Sequence, residues 1–150
     1  MTDNMDMAGI YSLIRGAADE GHVLVLDCLS RIEPYGLRAM GSIRPYLDTV
    51  HITRAFTAHQ LRTMAGGLDD WVSDHSPATL IIVGMTSILE DVDEDERPFI
   101  RGHVLKSGKR LARTAGARVI FVETDARRRT MAPSRTPSGR QESLPGKGVA

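Results

Sequence analysis

The chain has 150 residues, 41% of them hydrophobic and 25% charged, which is ordinary for one globular domain with its own core. No apolar run approaches the roughly 20 residues that a transmembrane helix needs, and the acidic start MTDNMDMAG does not resemble a signal peptide. A single cysteine, Cys28, excludes an internal disulfide framework, so we expect a soluble protein of the reducing cytoplasm without a membrane partner.

The zero net charge hides a difference between the two ends of the chain. Residues 126–150 contain six basic residues and one acidic residue, whereas residues 1–125 contain 13 basic and 18 acidic residues. The segment 126–150 is also rich in Pro, Ser and Gly and has little to bury, which predicts a disordered basic tail. We therefore divide the chain into a folded domain, residues 1–125, and a tail that either binds nucleic-acid phosphates or serves only solubility.

Apolar periodicity predicts helices and strands that alternate along the chain. Met7, Ile10 and Ile14 recur on one helical face, and the uninterrupted run VLVLD suits a strand that is covered on both faces. The pair Gly66-Gly67 predicts a kink or close packing within the third helix. The predicted elements are a helix over 7–20, a strand over 23–27, a short helix within 33–48, a strand over 49–56, a helix over 57–75, a strand over 79–84, a helix over 98–115 and a strand over 118–123. This alternation predicts a three-layer α/β domain with a mainly parallel sheet, whose ligands would bind at the carboxyl ends of the strands.

Several stretches together resemble the ATPase core of the RecA/RadA-type recombinases and their KaiC-like relatives. VLVLDCLSRIEP (23–34) resembles the family strand that ends in Asp-Thr-Glu and leads through a short loop to a proline. HITRAFTAHQL (51–61) resembles the next strand and helix start, and TLIIVGMTS (79–87) falls where the Walker B strand lies. Order and spacing agree over roughly residues 8–125. The resemblance implies an incomplete RecA-like core of the P-loop NTPase fold.

The residues that nucleotide hydrolysis needs in the resembling family are missing from this chain. The chain has no G-x-x-x-x-G-K-[ST] phosphate loop and begins about where the helix after that loop begins, so we expect the loop and its preceding strand to be absent. Leu29 stands where the family has the glutamate that positions water, and Gly84 where the Walker B aspartate helps to hold Mg²⁺. We therefore expect no catalytic residues, no cofactor, no metal and no ATP hydrolysis by this chain alone.

The resemblance also implies an incomplete sheet. The family's phosphate-loop strand lies inside the sheet beside the Walker B strand, so its loss predicts a gap that re-pairing or a partner's strand must close. We predict a non-catalytic RecA/RadA-like paralogue that acts as a binding or regulatory module, such as an accessory in DNA recombination or repair. Its partner would be a catalytic paralogue or a second copy of the chain. One alternative is a divergent ATPase subunit whose nucleotide site is completed by a neighbouring subunit or a missing upstream segment; another is an orphan domain with no retained function.

Two basic groups are candidates for binding single-stranded DNA. One is a face of the last helix; the other stands where the resembling recombinases have a DNA-contacting loop. The candidate residues are Lys106, Lys109, Arg110, Arg113, Arg127, Arg128 and Arg129. The competing interpretation is a solvated outer face, since no aromatic residue of the tail offers a stacking platform.

The other motifs do not define a site. DVDED (91–95) fails the EF-hand pattern because Glu96 and Gly102 stand where Gly and Glu are required, so we expect a solvated acidic loop. The five histidines lack zinc-binding spacing, and we expect Cys28 to be a buried structural thiol.

Overall fold

The described residues form a single sheet of five parallel strands, whose spatial order, numbered along the chain, is first, fifth, fourth, second and third. The computed structural model describes residues 2–38, 41, 46 and 48–125, so the predicted tail and its Arg127, Arg128 and Arg129 lie outside the described residues. The strands are β1 (Thr2–Asn4), β2 (Val23–Asp27), β3 (Val50–Arg54), β4 (Thr79–Val83) and β5 (Arg118–Glu123). The helices are α1 (Met7–Ala18), α2 (Pro34–Arg38), α3 (Ala58–Gly66), α4 (Leu68–His75), α5 (Met85–Leu89) and α6 (Arg97–Thr114).

A hydrophobic core lies on each face of the sheet, because successive side chains of a strand point to opposite faces. Val23, Val25 and Ile81 pack with residues of α1 and α2 on one face. Leu24 and Ile82 pack with residues of α3 to α6 on the other. Strands β2 and β4 are buried along their whole length, as their uninterrupted apolar runs predicted. The three-layer α/β fold with a parallel sheet is therefore confirmed.

Strand β1 corrects the expectation that no strand precedes α1. It pairs with β5, with Thr2 opposite Phe121, and the main-chain N–H of Met5 extends the pairing by donating to Glu123 O at 2.8 Å. In the described part of the chain β4 pairs with β2 on one side and β5 on the other, as the re-pairing alternative requires. Hydrophobic periodicity could not predict β1, because Thr-Asp-Asn contains no apolar residue.

The predicted third helix is interrupted at the glycine pair. Helix α3 ends at Gly66 and α4 begins at Leu68, with Gly67 between them. The short helix α5, which follows β4 directly, was not predicted. Of the helices in the described residues, none combines the length and the apolar character that a membrane crossing requires.

Candidate functional site at the carboxyl edge of the sheet

Asp27 ends β2 and is fully buried at the carboxyl edge of the sheet. Its Oδ1 accepts a hydrogen bond from the main-chain N–H of Leu29 at 2.9 Å, and its Oδ2 accepts one from Ile32 at 2.8 Å. Arg54, at the end of β3, places Nε 3.5 Å from Oδ2 and donates from Nη2 to the carbonyl of Ile32. Both carboxylate oxygens therefore fix the loop that follows β2.

Leu29 and Gly84 stand where the resembling ATPases have two catalytic side chains, and they are packed against each other. Leu29 is fully buried, and Gly84 has φ 79°, in the left-handed region. A Cβ atom at residue 84 would lie 2.4 Å from Cγ and 2.5 Å from Cδ2 of Leu29, well inside van der Waals contact. The leucine side chain thus fills the space that a side chain at residue 84 would need, and the backbone conformation independently favours glycine.

The start of α1 is capped by the side-chain carboxylate of Asp6. Asp6 is the N-cap residue, and its Oδ1 accepts from the main-chain N–H of Gly9 at 2.8 Å. The first N–H groups of a helix form an anion site, which phosphate occupies in phosphate-binding loops. Here Asp6 already supplies a negative charge to those groups.

Two adjoining cavities open between the end of β1, the end of β5 and α5. Their volumes are about 350 Å³ and about 230 Å³. The larger cavity is lined by Asn4, Thr86, Ser87, Glu90, Glu123, Thr124 and Asp125. The smaller is lined by Asn4, Met5, Asp6, Met7, Thr124 and Asp125. Among the described residues that line them, four are carboxylates and none is Lys or Arg, so the local charge opposes polyphosphate.

Two hydrogen bonds order the wall of the larger cavity. Glu123 Oε2 accepts from the main-chain N–H of Thr86 at 3.0 Å, which links the end of β5 to the start of α5. Arg101 Nη2 donates to Thr86 Oγ1 at 3.4 Å from α6. Thr86 is thus bound through its main chain to β5 and through its hydroxyl to α6.

The predicted basic face of α6 divides into two parts. Lys106, Lys109 and Arg113 are exposed. Arg110 is half-buried, and its Nη2 lies 2.9 Å from Oδ2 of Asp69 on α4. The structure therefore places Arg110 in an ion pair between two helices, and it leaves the other three lysine and arginine side chains in solvent.

A second cluster, which sequence reasoning missed, lies at the amino edge of the sheet. The imidazole cluster comprises His22 before β2, His51 on β3, and Trp71 and His75 on α4. His22 Nδ1 is 3.3 Å from His51 Nε2, and the rings of Trp71 and His75 stack with centroids 4.0 Å apart. Histidine spacing along the chain carried no signal, because only the pairing of β2 with β3 brings these rings together.

Burial lowers the pKa of His51, and the charges of His75 and His22 lower it further, against the opposing effect of Asp48. Among the described residues, no group of three or more His, Cys, Asp or Glu side chains is arranged to hold a metal ion.

No protein-family model matches this chain, and no curated protein has a similar sequence. The resemblance to RecA/RadA-type ATPases therefore stays a prediction that rests on the motifs alone.

Proposed function

We propose that this chain is a non-catalytic RecA/RadA-like module that acts by binding a partner rather than by hydrolysing nucleotide. The contact between Leu29 and Gly84 carries the proposal. If residue 84 had merely lost an aspartate, the space beside it would be open. Instead, Leu29 occupies that space within 2.5 Å of where a Cβ would lie. Two positions that the resemblance assigns to water and metal chemistry now form part of the apolar core.

The start of α1 supports the same proposal. In a phosphate loop, main-chain N–H groups at the helix start bind the phosphates and a lysine adds positive charge. In this chain the Asp6 carboxylate accepts from that helix start, and the adjoining cavities are lined with further carboxylates. A triphosphate entering here would meet like charges close together, which is unfavourable at short distances.

The runner-up function is an ATPase subunit whose nucleotide site a neighbour completes. The 350 Å³ cavity favours it, because that cavity opens at the carboxyl edge where ligands of parallel sheets bind. The neighbour would have to supply most of the positive charge that the phosphates need, since the described lining residues supply none and Arg101 reaches the wall only at Thr86.

The sheet edges and α6 support the claim that the chain binds a partner. In the described residues, β1 and β3 form the two edges of the sheet, and an edge strand can pair with another chain. A catalytic paralogue or a second copy of this chain is the partner we propose. Lys106, Lys109 and Arg113 are exposed and suit contact with a phosphate backbone. Single-stranded DNA is therefore a second proposed partner, with the residues of the tail as predicted contributors.

Thermal unfolding with and without Mg-ATP tests the claim that the chain does not use nucleotide. A ligand present at about 100 times its Kd stabilises the folded state by about 2.7 kcal/mol, so an unchanged Tm at about 1 mM nucleotide excludes Kd values near or below about 10 μM. We expect no change in Tm and no phosphate release by the purified chain. The Asp6→Ser variant is the matched comparison, because serine keeps a helix cap without the negative charge.

Three outcomes are informative. Nucleotide binding that appears only in Asp6→Ser would show that the carboxylate blocks the helix start. Phosphate release by the wild-type chain that Glu123→Gln abolishes would overturn the proposal. Binding that appears only after a RecA/RadA-like partner is added would favour the runner-up.

A further inference from the structure

The imidazole cluster joins three elements that are separate in sequence. His22 precedes β2, His51 lies on the edge strand β3, and Trp71 and His75 lie on α4. Helix α4 has eight residues, fewer than an isolated helix needs to be stable in water, so its position depends on its contacts. The ring contacts are one attachment of α4; burial of Leu68 and Val72 in the core and the ion pair of Asp69 with Arg110 on α6 are others.

The hydrogen bond between His22 and His51 requires one neutral ring to accept it. His51 makes a main-chain hydrogen bond with Asp48 that raises its pKa, as donation to a carbonyl does. If Nδ1 is that donor, Nε2 of the neutral ring is free to accept from His22 Nδ1, 3.3 Å away. A further proton on Nε2 would set two N–H groups against each other at that distance.

His75, on α4, packs against the ring of His51. Its Nδ1 lies 3.0 Å from the carbonyl of Trp71, which can only accept, so Nδ1 carries the proton. A second proton must then go to Nε2, and the ring centroids of His75 and His51 are 5.1 Å apart. A positive charge on His51 would therefore be opposed at short range by charge on its neighbours.

We propose that the imidazole cluster is an acid-sensitive latch, which holds α4 against β3 while the His51 ring is neutral and releases α4 when that ring is protonated. Gly67, between α3 and α4, is the natural hinge for this movement. Beside the latch lies a mainly apolar cavity of about 200 Å³, and Trp71 is one of its lining residues. Its lining residues are Leu24, Leu26, Thr53, Met64, Gly67, Leu68 and Trp71. Release of α4 would expose this apolar surface at acidic pH.

The direction of the pH effect follows from the groups that face His51. His22 from the turn before β2 and His75 from α4 lower its pKa together with burial, and Asp48 from the turn before β3 raises it. Since the net effect lowers the pKa below its ordinary value of 6.5, the unfolded and released states bind more protons than the closed state. The latch contributes its full stabilisation above about pH 6.5 and loses it as the pH falls through the lowered pKa of His51.

Trp71 is the only tryptophan of the chain, so its fluorescence reports on the latch directly. We would measure acrylamide quenching of Trp71 and hydrogen exchange of residues 68–75, corrected for intrinsic rates, from about pH 8 to about pH 5, where histidines titrate. We expect the quenching constant to rise several-fold and the exchange protection of α4 to fall as the pH is lowered, while the far-UV circular dichroism stays native-like.

Variants distinguish a latch from simple quenching of Trp71 by a protonated ring. His51→Gln keeps a polar amide but cannot titrate, so we expect it to abolish most of the rise; His75→Gln provides a second test if that variant does not fold. His59→Gln, on an exposed residue of α3 outside the cluster, is the control and keeps the wild-type response. The latch is ruled out if emission changes without any change in quenching constant or exchange, if both cluster variants respond like wild type, or if the whole fold is lost in the same pH range.

Discussion

The carboxyl and amino edges of the same sheet use their polar side chains in opposite ways. At the carboxyl edge, Asp27 is fully buried, and its two oxygens accept main-chain hydrogen bonds and face Arg54. At the amino edge, His22 and His75 are exposed, and their rings contact His51 or Trp71. A group whose polar atoms are all held by the fold contributes stability, whereas a group that still reaches solvent can change its charge with the solution.

Strand β2 connects the two regions. His22 directly precedes its first residue, and Asp27 is its last residue, five buried positions in all from Val23 to Asp27. The edges therefore share one rigid strand and differ only in the loops and helices around it. This makes the comparison testable by substitutions at either end of the same element.

The largest effect is expected for Asp27→Ala. The substitution leaves the main-chain N–H groups of Leu29 and Ile32 without their acceptors and leaves Arg54 without its partner. A buried donor that loses its acceptor typically costs about 1–3 kcal/mol, and we expect the two donors to lower the free energy of unfolding by about 2–6 kcal/mol, to which the part-exposed Arg54 adds little. Urea unfolding followed by Trp71 fluorescence measures it.

Asp27→Asn is the matched control, because the amide keeps one acceptor oxygen. We expect it to cost less than Asp27→Ala but still to destabilise the protein, since one buried main-chain donor loses its partner. If both substitutions left stability unchanged, the carboxylate would be available for a ligand, and the structural role given to this edge would be wrong.

A smaller effect is expected for Gly84→Ala. The left-handed backbone costs an L-residue about 1–2 kcal/mol, and overpacking against Leu29 adds about 1–3 kcal/mol. The double variant with Leu29→Ala relieves the second contribution only, so the two substitutions should couple by about 0.5–3 kcal/mol. Unfolding of the two single variants and the double variant measures the coupling. Strict additivity would show that Leu29 does not fill the space beside residue 84.

The same geometry bears on catalysis. Gly84→Asp would introduce a carboxylate at the Walker B position of the resemblance, yet its Cβ would meet the leucine side chain at once. We therefore expect this substitution to destabilise the domain without producing phosphate release.

The elements that the sequence predicts well are those whose signal is local. The apolar runs of β2, β4 and β5 and the glycine pair before α4 are each a short contiguous segment. Periodicity and turn propensity therefore suffice to predict them. Strand β1 was not predicted because its three residues are all polar, and α5 was not predicted because five residues are too few to show helical periodicity.

The site features depend on contacts between distant segments. Leu29 and Gly84 could be seen as two missing catalytic residues from motifs alone, but their mutual packing follows from the placement of β4 beside β2. The imidazole cluster likewise requires β2 to pair with β3 and α4 to cover that edge. The sequence shows which residue types are present, and only the strand order shows which of them meet.

The smallest effect is expected for His51→Gln, and it should change with pH. Near pH 8 the variant should lie within about 1 kcal/mol of wild type, as is usual for substitutions outside the core. Because the folded state lowers the pKa of His51, the wild type loses stability as the pH falls below about 6.5 and the variant loses less. Urea unfolding at about pH 8 and about pH 5.5, with His59→Gln as the control, should show the wild-type advantage shrinking or reversing at the lower pH. A difference that is the same at both pH values would mean that the ring of His51 acts only as a packing group, as Leu29 does, and the two edges would then no longer differ in kind.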